Sequence, residues 1–252
     1  MQEQNLRRRR RERLFRMKHF NVRHEVSANK VGVDGVMVGA WASVPANPQA
    51  RILDVGCGCG LIALMMAQRA PEALVTAIDI EAAAVGEAQL NAAESPWADR
   101  IEVIERDFSD IEGRFDAIVS NPPFFESGVS EIDSARMLAR HVASLSPMVL
   151  IDEARRLLNP GGTLSLIAPA AHAYALTVHA PSAGLQLQRI TYVRGNPDVA
   201  PKRVLLEFIY PPEGTDLSQM SAPEPQLLTI ETTPNHYTPE YIHLHHDFYI
   251  KF

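Results

Sequence analysis

Arg51-Ile52-Leu53-Asp54-Val55-Gly56-Cys57-Gly58-Cys59-Gly60-Leu61 is the stretch on which the reading of this 252-residue chain turns. Residues 52–55 are an apolar run of buried-strand length, and residues 61–68 read as an apolar helix. Three glycines stand between them. Glycine adopts backbone conformations closed to other residues and lets the chain approach a ligand closely. The amides that open the following helix then point at that ligand. In open α/β sheets, ligands sit beyond the carboxyl ends of the strands, where this turn falls. The spacing departs from the dinucleotide fingerprint G-x-G-x-x-G, because the third glycine comes one residue too early. An acid, Asp54, also stands just ahead of the glycines.

Outward from the turn, strand-length apolar runs alternate with helical stretches. Residues 75–80, 101–104, 115–119 and 163–167 read as further strands, and residues 81–93 and 146–158 as helices. The last of these is stopped by Asn159-Pro160-Gly161-Gly162. Continuous apolar strands separated by helices imply a parallel sheet covered on both faces. Two later runs, residues 186–193 and 203–210, are joined by Gly195-Asn196-Pro197-Asp198 and are expected to pair antiparallel at one end of the sheet. Upstream, Asp34 is expected to cap a short helix through Val36, Met37, Val38 and Trp41. Pro-rich residues 211–225 read as a surface connection, and a last helix should begin near Thr238-Pro239-Glu240. Residues 1–30 form a basic arm and residues 31–252 one domain in this reading.

Asp79 ends the second strand, 25 residues beyond Asp54 and followed by Ile80. An acid there can accept both hydroxyls of a ribose. Asp107-Phe108 follows the third strand. Three acids in register after three successive strands, with Gly56, Gly58 and Gly60, resemble the donor-binding motifs of the Rossmann-like class I methyltransferases. The resemblance implies S-adenosylmethionine as cofactor, the glycine turn around its methionine part and Asp107 at its adenine. It also implies a mostly parallel seven-stranded sheet with an antiparallel strand near one edge and helices on both faces.

After the fourth strand comes Ser120-Asn121-Pro122-Pro123-Phe124, on the same rim as the glycine turn. The Asn121 amide oxygen and the Pro122 carbonyl can accept both N–H bonds of an exocyclic amino group. They would stabilise that nitrogen as it turns tetrahedral and positive. Pro122 and Pro123 stiffen the loop before reaction, and Phe124 offers a face for a flipped base. The tetrad resembles motif IV of the amino methyltransferases, which occurs in enzymes acting on adenine N6, guanine N2 and the glutamine amide of release factors.

Lys30-Val31-Gly32-Val33-Asp34-Gly35-Val36-Met37-Val38-Gly39-Ala40-Trp41 narrows the choice. It resembles the K-x-G-x-D-G-x-x-x-G-A-W segment of the bacterial tRNA1(Val) adenine-37 N6-methyltransferases. Similarity continues in Ser95-Pro96-Trp97-Ala98, Arg203-Val204-Leu205-Leu206 and the ending with Tyr237, Tyr241 and Phe248-Tyr249. The resemblance implies that Lys30, Gly32 and their neighbours close over the donor and that the target is the adenine beside a tRNA anticodon. This chain departs from the pattern in its longer arginine-rich start, its Cys-Gly-Cys turn and Phe rather than Tyr in the tetrad.

Charge is consistent with a nucleic-acid substrate. The net charge is −6, yet residues 1–30 hold ten Lys/Arg against three acids, a local +7 that leaves −13 on the rest. Arg7, Arg8, Arg9, Arg10, Arg11, Lys18 and Arg23 are candidates to neutralise RNA phosphates. Arg136, Arg140, Lys202 and Arg203 would extend the track. No apolar run is long enough to span a bilayer and the start lacks a secretory pattern, so a cytoplasmic, membrane-free protein is expected. The only cysteines, Cys57 and Cys59, are too close for an ordinary disulfide and too few for structural zinc. His243, His245 and His246 have only Asp247 as an acid at ligand spacing, so no metal is expected. Trp41, Trp97, Met65 and Met66 are read as packing residues. Oligomerisation is left open, with a monomer as the favoured state.

Overall fold

β3 (Arg51–Val55) lies in the middle of the sheet, with Ile52, Leu53 and Asp54 fully buried, and the rest of the chain is laid around it. The computed structural model describes residues 14–26, 31–123 and 145–252. A small hairpin, β1 (Leu14–Arg16) and β2 (Asn21–Arg23), precedes α1 (Val33–Trp41). After β3 come α2 (Leu61–Arg69), β4 (Leu74–Asp79), α3 (Ala82–Ala93), β5 (Ile101–Glu105) and β6 (Phe115–Ser120). Beyond residue 145 follow α4 (Pro147–Leu157), β7 (Leu158–Pro169), α5 (Ala173–His179), β8 (Gln186–Arg194) and β9 (Arg203–Ile209). β10 (Gln226–Thr229), a short hairpin of β11 (Glu231–Thr233) and β12 (His236–Tyr237), and α6 (Pro239–His245) complete the described strands and α-helices.

The main sheet runs β10-β8-β9-β7-β6-β3-β4-β5. Only β9 is antiparallel to its neighbours, and it lies near one edge as expected. The strand count is corrected from seven to eight, because β10 adds itself parallel to β8 at that edge. Its four residues bury Leu228 but leave Leu227 exposed, too short a pattern to stand out beside a Pro-rich connection. The expected antiparallel pair of late strands is present with close to the expected bounds.

Two apolar layers sandwich the sheet. On one face Met37, Val38 and Trp41 of α1 pack with Ile62, Met66 and Tyr241. On the other, Leu150, Ala154 and Leu157 of α4 pack with Leu176 of α5. Met65 and Met66 are fully buried, Trp41 donates from Nε1 to Thr191 Oγ1 (3.1 Å), and Trp97 meets Phe20 edge-on. Met17, Phe20 and Val22 of the N-terminal hairpin are buried with Leu61, Leu64, Met65 and Phe248, so packing onto the domain begins well before residue 31. The final helix is capped as expected, with the Tyr241 N–H donating to Thr238 Oγ1 and Pro239 at its first turn. Asp34 is not a cap. Gly32 occupies that position in extended conformation, and Asp34 sits inside the first turn.

Because β3, β4, β5, β6 and β7 are parallel, Val55, Asp79, Glu105, Ser120 and Pro169 end on one rim, where β9 begins with Arg203 opposite Pro169. Every candidate donor and reaction residue among the described ones stands on this rim or on the segment that crosses it.

Candidate active site

The rim is organised by the glycine turn. Gly56, Gly58 and Gly60 all have positive φ (69°, 54° and 80°), a backbone region that costs other residues strain. A Cβ on Gly56 would stand 2.8 Å from Leu145 Cδ2, and one on Gly60 3.1 Å from Ala88 Cβ, so sterics add to the conformational demand. Gly60 opens α2 with no side-chain cap of its own. Asp54 substitutes from a distance, its Oδ2 accepting from Ala63 N (3.0 Å) in the first turn. Asp79 Oδ2 accepts from Gly58 N (2.9 Å) and its Oδ1 from Glu81 N (3.0 Å), tying the turn to the end of β4. The turn is therefore held by the two acids that the sequence pattern singled out.

A cleft opens between this turn and the start of α1. Val31, Gly32, Gly35, Gly56, Cys57, Gly58, Cys59, Leu61, Ile62 and Asn121 line it. Asn121, directly after β6, stands on the same cleft as the turn, its Nδ2 3.9 Å from where a Cβ on Gly35 would lie. Its neighbour Ser120 donates from Oγ to the Val55 carbonyl (2.7 Å), locking the end of β6 to the end of β3 and so fixing where the loop starts. Asn121, Pro122 and Pro123 are described; Phe124 lies outside the described residues.

The remaining candidates divide. Asp107 accepts from the Ser109 N–H and hydroxyl (2.9 and 2.8 Å) and caps the short turn Phe108–Asp110. Phe108, beside Asp107, has its side chain buried in the core with Leu53 and Ile78 and is not among the residues lining the cleft. Ile80 is exposed at the rim. Among the expected phosphate contacts, Lys18 donates to the His246 carbonyl, and Arg23 forms an exposed ion pair with Glu94 (2.8 Å). Arg203 pairs with Asp34 (2.8 Å), whereas Lys202 is exposed at the rim. Arg7 to Arg11, Lys30, Arg136 and Arg140 fall outside the described residues.

Sequence reasoning missed a supporting pair on α3. Asn91 is buried, donates to the carbonyls of Cys59 (2.8 Å) and Arg23 (2.9 Å), and accepts from Arg23 N (2.8 Å). Glu87, one turn earlier and also buried, accepts from the amides of Glu25 and Val26. These two side chains clamp the glycine turn to the segment that leads toward Gly32. Their signal was legible, since polar residues four apart on an alanine-rich helix share one face.

Electrostatics single out Asp54. Burial raises its carboxyl to about 8, the Ala63 N–H opposing that rise and the nearby Asp79 charge reinforcing it. Its second oxygen, Oδ1, is buried without a partner among the described residues. A buried carboxylate oxygen left bare costs free energy until something donates to it. The residues fit a ligand bearing a cationic donor: a carboxylate oxygen with no partner among the described residues stands beside a glycine turn that lines the cleft. Burial also pushes the Cys59 thiol up to about 12 and raises that of Cys57.

Comparison with known proteins agrees with this geometry. The family described as "Methyltransferase small domain" matches residues 41–181, more than half the chain. The tRNA1(Val) (adenine(37)-N6)-methyltransferase of Bacteroides thetaiotaomicron is 41% identical over 239 residues, covering 94% of this chain and 97% of its own. The protein of the same name from Tolumonas auensis is 37% identical over 239 residues, with the same coverage of both chains. Among solved structures, a predicted O-methyltransferase, protein Atu636 from Agrobacterium tumefaciens, shares the fold with a TM-score of 0.59. It is 21% identical, and the match covers 85% of this chain and 96% of that one. TrmN from Thermus thermophilus, at 22% identity and a TM-score of 0.51, shares it over 69% of this chain and 47% of its own. With 41% identity over 94% of the chain, and with the glycine turn and Asn121 on one cleft as that family's pattern requires, the chain belongs to the tRNA1(Val) (adenine(37)-N6)-methyltransferase family.

Proposed function

We propose that the chain transfers a methyl group from S-adenosylmethionine to N6 of an adenine in tRNA, at position 37 of tRNA1(Val). One observation carries this: Asn121 and the glycine turn line the same cleft. S-adenosylmethionine supplies an electrophilic methyl group on a sulfonium. The glycine turn, Asp54 and Asp79 would hold it, with Gly32 and its neighbours as the opposite wall. Asp54 Oδ1 offers an acceptor for a cationic group, and Asp79 retains lone pairs for hydroxyl donors.

The rest belongs to the loop after β6. An adenine amino group is a weak nucleophile because its lone pair is delocalised into the ring. Asn121 Oδ1 and the Pro122 carbonyl accept its two N–H bonds and favour the tetrahedral, positively charged nitrogen formed during attack. The Ser120–Val55 hydrogen bond and two consecutive prolines keep those acceptors in place beforehand. Phe124 supplies a stacking face for an unstacked base. The proton leaves after transfer, so no residue need act as a strong base. Arg7 to Arg11 and Lys202 contribute phosphate contacts, and the protein acts in the cytoplasm on free tRNA. Among the described residues no helix is long and apolar enough to cross a membrane.

The test is tritiated donor with total tRNA from a strain lacking this gene, followed by nucleoside analysis. N6-methyladenosine in tRNA1(Val) is the expected product. Label on a release factor but not on tRNA would overturn the substrate. A second expectation concerns the arm: deleting residues 1–13 should weaken tRNA binding and reduce its salt dependence, with donor affinity unchanged. Filter binding at several salt concentrations reads both, and an unaltered slope removes the arm from the interface.

A further inference from the structure

The two ends of α1 are held in different ways. Its C-terminal half is buried, and its last carbonyls are clamped by arginines. Arg69 donates to the carbonyls of Gly39 (2.9 Å) and Ala42 (2.7 Å), and Arg189 to that of Trp41 (2.6 Å). Arg189 also lies over the Trp41 ring (3.7 Å) and pairs with buried Glu207, which accepts from Ser43 and Ser165 as well. The opposite end lines the donor cleft and, among the described residues, has less of this support. Among the described residues no side chain caps the helix at Gly32, Val33 is 48% exposed, and Gly35 has no side chain to pack. A first turn with two glycines and one exposed valine opens easily unless something long-range holds it.

Among the described residues, a long-range contact at that end is the ion pair from Arg203 Nε to Asp34 Oδ2, 2.8 Å long, with side chains only 21% and 25% exposed. Arg203 is the first residue of β9 and pairs in register with Pro169, the last of β7. β7 neighbours β6, whose end carries Asn121. The pair thus joins the first turn of α1 to the part of the rim that carries the proposed amino-accepting loop. Clearance there is small: a Cβ on Gly35 would already lie 3.2 Å from Leu61 Cδ2 and 3.9 Å from Asn121 Nδ2.

We propose that Asp34 and Arg203 are a positioning pair that sets the width of the donor cleft, and that Arg203 acts through Asp34 rather than on RNA phosphates. The inference rests on the donor-cleft reading above. A partly buried carboxylate in the first turn is favoured by the helix dipole as well as by the guanidinium. Rupture of the pair therefore frees the turn without unfolding the helix, whose other half is clamped independently.

The experiment is a double-mutant cycle on the full chain: Asp34→Ala, Arg203→Ala and both together. Donor affinity is read by calorimetry, kcat and both KM values by methyl transfer, and folding by thermal melts. Each single variant should raise the donor KM about tenfold, with kcat and the tRNA KM within a factor of about three, and the double variant should be no worse than either single one. Should Arg203→Ala melt early, Arg203→Lys and Asp34→Asn supply the same comparison. Additive losses would overturn the proposal. So would a lower tRNA affinity with a shallower salt slope and an unchanged donor KM, since that marks a phosphate contact. Wild-type protein that bound no donor would instead bring down the functional reading beneath it, a result separable from failure of the pair alone.

Discussion

Asn121→Ala should lower kcat by about 10²- to 10³-fold while donor affinity stays within about threefold of wild type. In the proposed mechanism the substitution removes one of two acceptors for the reacting amino group and leaves untouched the glycine turn on the other side of the cleft, which Asp54 and Asp79 hold in place. An acceptor aimed at a developing positive charge works mostly in the transition state, so the loss falls on kcat rather than on substrate binding. Ser120 keeps its bond to Val55 in the variant, so the end of β6 does not move. Asn121→Asp retains an oxygen at the same place and should lose less. Single-turnover methyl transfer with calorimetry on the same preparations makes the measurement, and normal turnover in Asn121→Ala would remove the loop from the chemistry.

Asp54→Asn is expected to separate stability from binding. The carboxyl is fully buried and held up at about 8, well above its value in an unfolded chain. For an acid raised in this way the unfolded chain ionises first. The fold accordingly loses stability as pH rises from about 4 toward 8, and the loss levels off above that. The isosteric amide cannot ionise, and its oxygen can still accept from Ala63 N. The variant should therefore melt higher than wild type at pH 8 in the absence of donor, by up to roughly 5 kcal/mol in the limit where the site does not relax. At pH 5 the difference should largely vanish. Donor affinity should move the other way and fall about tenfold or more, because a bare buried carboxylate oxygen is exchanged for a neutral group. In wild-type protein, donor binding should release protons near pH 7, visible as a dependence of the calorimetric heat on the buffer. Equal melting at pH 5 and 8 in both proteins, with unchanged donor affinity, would show that Asp54 neither titrates nor binds there.

What could be read in advance follows the strength of the local physics. Residues 52–61 were legible because a buried strand, a run of glycines and an apolar helix each have a separate signature, and all three glycines adopt positive φ. The parallel core was legible for the same reason, its strands being continuous apolar runs. β10 was not, since a four-residue edge strand has half its side chains in solvent and takes its place from β8 rather than from its own pattern. The roles of Asp34 and Arg203 were hidden differently. Each was assigned singly, one to a cap and one to RNA, and only the fold reveals that residues 169 positions apart are partners. Phe108 shows the converse, where a residue beside a candidate site in sequence has its side chain in the core. Asp54 was found by pattern, but its bare oxygen and its task of capping α2 from outside are properties of packing.

The two sulfur atoms of the glycine turn have a practical consequence. Thiolate, not thiol, reacts with alkylating agents, and burial holds Cys57 and Cys59 in the protonated, inaccessible form. Labelling by iodoacetamide at neutral pH therefore has to wait until the turn comes apart. Its rate becomes a clock for local opening at the proposed ligand site, and slowing by added donor would report occupancy without a radioactive assay.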